Sequence, residues 1–268
     1  MMSLCCFETA RCLPCTAKVS GRVAQYISFA MSTTLHEYER EVADDRAQND
    51  YWAQTRRSIL ESWVADINPN SILDIGCGSG YLADYLGSNS SFVAGIDIDE
   101  TSISLAAERP NIDSALVGDA TRLPYATDTF DCILLGDVIE HFEDPSPVIK
   151  ESNRVLSQNG NLIISVPAFR WLWGPHDEHN NHADRYNLSR LSDLVADAGF
   201  VIDQHRYTNF FPLPAYFLIQ RILRTGVPTS ARGGHNKITE WVKQKLVSLE
   251  RSINFPVGIT LLVKCSRR

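Results

Sequence analysis

The chain has 268 residues, of which 44% are hydrophobic, enough to bury the core of one α/β domain with an elaboration. A net charge of −7 argues against a nucleic-acid partner, which calls for a basic patch or excess. No apolar run reaches the roughly 18 residues needed to span a bilayer, so a soluble, cytoplasmic protein is expected. Residues 1–30 stand apart, with four of the seven cysteines (Cys5, Cys6, Cys12, Cys15) and three basic groups against one acidic, which leaves −9 on the rest. Three readings fit this segment. Cys12 and Cys15 form a C-x-x-C pair suited to zinc or redox chemistry, the segment is a cleavable targeting peptide, or it is a disordered or misassigned extension with translation starting at Met31. The last is the expectation, because so short a segment has little core to join. From Thr33 to Ile67 the pattern is helical, polar at first and then amphipathic, with Ile59, Leu60, Trp63 and Val64 at helix spacing. Pro69 stops it. Tyr38, Tyr51 and Trp52 on this cover are expected to pack rather than to line a pocket.

Residues 72–86, ILDIGCGSGYLADYL, read as a buried strand, a tight turn and a helix. Gly76, Gly78 and Gly80 fall at alternate positions, where the backbone must approach a ligand and adopt φ values that other residues resist. The pyrophosphate-binding pattern of dinucleotide enzymes needs two residues before its third glycine, and this chain lacks that spacing. A second strand, Phe92–Ile96, ends in Asp97, about 20 residues on, where a carboxylate can accept hydrogen bonds from ribose hydroxyls. Asp119 then sits at the end of a strand over 114–117, in the run GDATRLPYATDTFDCILLGDVIEHFEDP.

From residue 72 to about 167, these elements resemble class I S-adenosylmethionine (SAM)-dependent methyltransferases of the type 11/12 kind in order and spacing. The resemblance implies SAM as cofactor, with Asp74, Gly76, Cys77, Gly78, Gly80, Asp97, Ile98, Asp119, Ala120 and Gly136 binding it. In that family the Asp at the position of Asp119 contacts the adenine amino group. It also implies a fold: an α/β, Rossmann-like doubly wound sheet of seven strands, the last antiparallel. The chain-order pattern agrees, with helix 80–86, strand 92–97, helix 101–108, strands 114–117 and 130–135, helix 144–157, and strand 160–166 after an Asn159–Gly160 turn. Helix 188–198, strand 200–207 and a final strand 258–265 follow. The methyltransferase domain is expected over 31–268, with the helical cover 33–67 and a helical insertion at 209–256. The insertion replaces a connection that normally takes 2–5 residues. Its helices, 214–225 and 238–253, are each amphipathic. A lid or dimer surface is the expectation, with a peripheral membrane contact through 212–225 as the alternative. Oligomeric state is left open.

Methyl transfer to a hydroxyl needs a base for its proton, or a metal that makes the proton more acidic. Asp137, Glu140 and His141 lie at i, i+3 and i+4, so all three can share a face. The run DVIEH resembles the EMLEH-type segment of quinone-pathway O-methyltransferases, whose acidic and His positions bind a divalent metal, with Asp137 in place of a Glu. A capping and packing role is expected for the three, and no metal. The loop 168–187, AFRWLWGPHDEHNNHADRYN, leaves the carboxyl edge of the sheet, where acceptors bind. Its Asp177, His182, Arg185 and Tyr186 resemble a D-x4-H-x2-R-Y pattern of methyltransferases encoded with polysaccharide and lipid genes, with Asp184 where a second Arg is common. His182 is expected to take the acceptor proton with Asp177 orienting it, Arg185 to orient the acceptor, and His141 to assist. Trp171 and Trp173 form an apolar wall or pack the lid, and His176 and His179 are poorly spaced for zinc. The expected activity is methyl transfer to a small-molecule, glycan or lipid-linked acceptor, at oxygen. The alternatives are a SAM-binding regulator or scaffold without turnover and, less favoured, an NAD-dependent oxidoreductase.

Overall fold

The computed structural model describes residues 50–224 and 237–268. The expectations for residues 1–30, for the polar start of the cover helix including Tyr38, and for residue 225 lie outside the described residues. Asp50 caps α1 (Tyr51–Ile67) by accepting from the Trp52 N–H at 3.0 Å, the use to which a short acidic side chain is best put at a helix start. The chain then alternates as β1 (Ser71–Ile75), α2 (Tyr81–Leu86), β2 (Phe92–Asp97), α3 (Glu100–Ala106), β3 (Ser114–Val117), β4 (Phe130–Gly136), α4 (Ser146–Val155), β5 (Leu156–Pro167), α5 (Pro175–His179), α6 (Leu188–Asp197) and β6 (Phe200–Thr208). Next come α7 (Leu213–Phe217), a π-helical turn Leu218–Leu223, α8 (Lys237–Ser252) and β7 (Thr260–Arg267).

One seven-stranded sheet results, in the order β3-β2-β1-β4-β5-β7-β6. β7 runs antiparallel to both β5 and β6, and the other pairings are parallel. β1 and β4, at the centre, are buried on both faces, which is why they read as unbroken apolar runs rather than alternating ones. The order reverses at β1, and in such sheets a ligand sits beyond the carboxyl ends of the strands at that point.

One local expectation changes. Asn159–Gly160 does not make a turn before β5. It lies inside β5, where the register against β4 shifts between Phe130↔Leu156 and Cys132↔Asn161, so the Gly fills a bulge instead. A Cβ on Gly160 would stand 2.7 Å from Leu156 Cδ1, so the bulge also needs the missing side chain. The first insertion helix runs as α7 and continues as the π-helical turn to Leu223.

The insertion is fastened by one buried side chain. Glu250 of α8 accepts from Tyr51 Oη of α1 at 2.7 Å and from the backbone N–H groups of Asn209 and Phe211 at 2.5 and 3.3 Å. Burial and that carboxylate together push the Tyr51 phenol pKa up, so it stays a donor. Tyr51 thus has a packing and latching role, and Trp52 packs against Tyr216 with the rings tilted by 57° and 5.3 Å between their centres. Truncating Glu250 strands two backbone donors and a phenol, each a hydrogen bond to a charged group. Glu250→Ala should lower unfolding free energy by about 3 kcal/mol in chemical denaturation, whereas Trp241→Ala, on the exposed face of the same helix, should change it by less than about 0.5 kcal/mol.

Candidate functional site

The cofactor side is built where β1, β2, β3 and β4 end. The three loop glycines have φ of +70°, +53° and +74° at Gly76, Gly78 and Gly80, a region side chains resist. They differ in what surrounds them. A Cβ on Gly76 would lie 2.5 Å from Val138 Cγ2, and one on Gly80 2.5 Å from Ile112 Cδ1, so both permit close packing beneath the loop. A Cβ on Gly78 would meet nothing within 4 Å, so this glycine faces open space. Asp97 holds the loop: its carboxylate accepts from the Gly78 N–H at 2.8 Å and from the Asp99 N–H at 3.0 Å. Ile98, the next residue, is 80% exposed at the edge of this space, an apolar face with nothing on it. Asp119 is exposed and accepts from the Thr121 N–H at 2.8 Å, a bond that holds its pKa below the usual carboxylate range. Ala120 packs on the main core, and Gly136 closes β4. An open cradle at Gly78, a carboxylate with lone pairs to spare at Asp97 and a bare apolar face at Ile98 fit an adenosyl group, so these residues would hold SAM.

Cys77 is the exception among the residues expected here. Its N–H is taken by the Ile96 carbonyl at 3.1 Å, and its buried thiol packs with Ile103 and Ala106, 2.7 Å from where a Gly95 Cβ would stand. It supports the loop from below and does not face the cradle.

Asp74 ends up buried at the end of β1 with a pKa pushed up to about 7 by burial, against the pull of Arg56 and with a smaller push from Asp97. Arg56 was not singled out by the sequence. It projects from α1 and pairs with Asp137, whose other oxygen accepts from Ser165 Oγ at 2.9 Å. Asp137 itself has φ +58°, one of the residue types that tolerates the left-handed region.

The loop after β5 carries the residues expected on the acceptor side. Asp177 is fully buried, and its carboxylate accepts from His182 Nδ1 at 2.9 Å, from Arg185 Nε at 2.7 Å and from the Gly174 N–H at 2.9 Å. Burial works to raise its pKa, yet the His182 bond and the Arg185 guanidinium outweigh it and hold the carboxyl below its ordinary range. Arg185 is only 2% exposed, and its remaining donors go to the Ala168 carbonyl at 3.0 Å and Tyr216 Oη at 2.5 Å. The expectation that Arg185 meets the acceptor is therefore corrected: it is a positioning residue behind Asp177. Tyr186 is buried too, its hydroxyl donating to the Ile139 carbonyl at 3.2 Å. Asp184 pairs with Arg170 and Arg190, which explains an acid at that position without an acceptor. Trp171 stacks on Phe169 at 5.6 Å and leans on Phe217 at 5.8 Å, packing the lid.

With Nδ1–H donated to Asp177, His182 presents Nε2 as a lone pair. Ligand atoms of Glu140, His141 and His182 lie within 4.8 Å of one another, and the His141 and His182 rings meet edge to face at 5.0 Å. The Glu140 carboxylate is fully buried with no hydrogen-bond partner on either oxygen. Burial, then the Asp137 charge, raises its pKa well above the ordinary value, against the pull of Arg56 and Arg185. Burial and then His182 depress the pKa of His141, favouring its neutral form. His176 borders His182 with 6.1 Å between ring centres, but its ring nitrogens face Asn180 Nδ2 at 3.3 Å, and His179 lies on the exposed side of α5.

Comparison with known proteins bears on this geometry. A family model described as "Methyltransferase domain" matches residues 73–164, the segment that builds the cofactor side. A probable S-adenosylmethionine-dependent methyltransferase of Mycobacterium tuberculosis is 30% identical over 61% of this chain and 60% of its own length. Among solved structures, a chain of the complex between the Haloferax volcanii Trm112 methyltransferase activator and a methyltransferase superposes with a TM-score of 0.57. It is 19% identical over 86% of this chain and 96% of that one. The [4+2]-cyclase SpnF superposes with a TM-score of 0.52, 18% identical over 78% and 79% of the two chains. At such identities the solved structures speak for the fold alone. Residues 73–164 carry a methyltransferase domain of the SAM-dependent kind, and S-adenosyl-L-methionine is the cofactor of that family. It spans about 60% of the length of the first curated relatives it matches.

The raised pKa of Asp74 has a stability consequence. The folded protein binds this proton up to about pH 7, the unfolded chain only up to about 3.8, so the contribution is full below the lower value and lost as pH rises through the upper. Asp74→Asn removes that term. The stability of wild type relative to Asp74→Asn, from denaturation curves without cofactor, should fall between about pH 4 and pH 7 and level off above.

Proposed function

We propose that this protein transfers the methyl group of SAM to a hydroxyl of a small-molecule, glycan or lipid-linked acceptor. The observation that carries the reading is His182, whose Nδ1–H is fixed by Asp177 at 2.9 Å and whose Nε2 is left basic. SAM supplies an electrophilic methyl on sulfur, so the chain's residues have to align the acceptor, exclude water and take one proton. The acceptor O–H gives its proton to His182 Nε2 as the O–CH3 bond forms and the S–CH3 bond breaks, leaving S-adenosylhomocysteine and a methyl ether. Asp177 holds the imidazole in the tautomer this needs and stabilises the imidazolium that forms. Arg185, tied to Asp177, Ala168 and Tyr216, keeps Asp177 from turning, and the neutral ring of His141 borders the acceptor.

A lipid-linked acceptor fits the outer face of the insertion. Tyr216 and Gln220 point inward to Arg185 and His176, while Phe217, Leu218, Ile222 and Leu223 are exposed beside Arg221 and Arg224. Such a stripe suits peripheral contact with a membrane surface next to the acceptor loop. Among the described residues no helix is long and apolar enough to cross a membrane. A protein at the cytoplasmic side, touching lipid at one edge, is the corresponding placement.

On this reading, Asp97→Ala should weaken SAM binding by about 1–3 kcal/mol in calorimetry, since ribose hydroxyls lose a charged acceptor; unchanged affinity would remove Asp97 from the cofactor site. His182→Ala should cut kcat by about 10²–10⁴-fold while SAM affinity stays within twofold or so. A parallel fall in SAM affinity and melting temperature would make His182 a lid fastener instead. The acceptor for this assay comes from a metabolite comparison of cells with and without the protein, with S-adenosylhomocysteine release as the readout.

A further inference from the structure

We propose that Glu140, His141 and His182 form a site for one divalent transition-metal ion of the zinc type, with Asp177 fixing His182 from behind. The three come from two places in the chain, the turn after β4 and the loop after β5. One ligand atom from each lies within 4.8 Å of the others. Bonds of about 2.0–2.2 Å to such an ion put neighbouring ligands about 3.4 Å apart in a tetrahedral shell. The set therefore needs to draw in by at most about 1.5 Å, within reach of side-chain rotation.

A second observation, independent of spacing, points to a cation. The Glu140 carboxylate is fully buried with neither oxygen hydrogen-bonded, an arrangement proteins avoid unless the group is compensated. It stands beside the imidazoles of His141 and His182. Two nitrogens and one carboxylate oxygen select zinc and its first-row neighbours over magnesium and calcium, which prefer all-oxygen shells. The His182 tautomer is already the one a ligand needs, with Nδ1–H on a buried carboxylate and Nε2 free, the outer-shell pairing that metal-bound histidines have.

Asp137, which sequence spacing grouped with Glu140 and His141, is not a ligand in this proposal. Its oxygens are committed to Ser165 and Arg56. His182, 45 to 41 positions further along the chain than Asp137 and His141, takes the third place. The expectation of no metal rested on the absence of a further ligand, and the fold supplies one. The proposal rests on the reading above only in placing the acceptor at this cluster. With an ion bound, His182 Nε2 would be a ligand in place of the proton acceptor described above, and the ion would make the acceptor hydroxyl acidic enough to give its proton to water before the methyl arrives.

The test uses the full chain, stripped with a chelator and titrated with Co2+ followed by its visible spectrum, and with Zn2+ by calorimetry. One equivalent should bind, with a nitrogen–oxygen spectrum lacking thiolate charge transfer. Glu140→Gln and His182→Ala should each weaken binding at least tenfold, Asp177→Asn by about ten- to a hundredfold, and Asp137→Asn by less than about threefold. Should Glu140→Gln fail to fold, His141→Ala, at an exposed residue, carries the same expectation. No stoichiometric binding by wild type, a thiolate band placing the ion on cysteine, or equal losses in Asp137→Asn and His182→Ala would each overturn the site. SAM titration of the same samples separates the two proposals. SAM binding without metal binding removes the ion alone, whereas absence of SAM binding removes the methyltransferase reading.

Discussion

Keeping carboxylates charged or paired at the carboxyl ends of a parallel sheet is the constraint on which the rest of this molecule turns. Asp74, Asp137, Glu140 and Asp177 all lie there, three of them buried, and each must be neutralised, hydrogen-bonded or protonated. The chain meets each case differently. Asp177 is given three donors, one of them a guanidinium, and Asp137 an arginine and a hydroxyl. Asp74 is left to burial and holds its proton up to about pH 7. Glu140 receives no donor at all. The unequal treatment is itself informative, because stability alone would favour pairing all four.

Arg56 and Arg185 connect these carboxylates across the site. Arg56 offsets the charges of both Asp74 and Glu140 while pairing with Asp137, and Arg185 acts on Glu140 and Asp177. The first arginine comes from the covering helix and the second from the acceptor loop. Cofactor side and acceptor side are thus joined through charge rather than through a shared strand. The insertion is tied into the same system, since Tyr216 closes on Arg185 and Gln220 on the backbone of His176. Its second helix is pinned independently by Glu250.

Sequence reading went furthest where one short segment fixes its own geometry. The glycine loop, Asp97 and the alternation of strand and helix could be placed because a strand, a left-handed turn and a helix start are local events. Asp177 and His182, five residues apart, were within reach of the same logic, and their contact is present at 2.9 Å. Arg185 defeated it, because the same chain pattern serves whether the guanidinium turns toward an acceptor or inward. Tyr216, 31 residues downstream, decides the matter. Arg56 on Asp137 spans 81 residues, and Glu250 on Tyr51 spans 199. No spacing rule encodes such pairs. Asn159–Gly160 misled for a different reason: the dipeptide marks a hairpin turn when the chain reverses, but a neighbouring strand on each side left only a bulge to accommodate it.

A superposing [4+2]-cyclase is a reminder that this scaffold does not dictate one reaction. What differs among such proteins is the set of groups beyond the strand ends. Here that set is an imidazole held by a buried carboxylate, a neutral second imidazole and an unpartnered carboxylate, all on the side of the sheet where the acceptor would arrive. An electrophilic methyl needs no acid to activate its leaving group, since the departing thioether is neutral. The one chemical demand left to the protein is on the acceptor's proton, so basic nitrogen and an unpartnered carboxyl group would belong on the acceptor side of the cradle. That is where this chain has concentrated them.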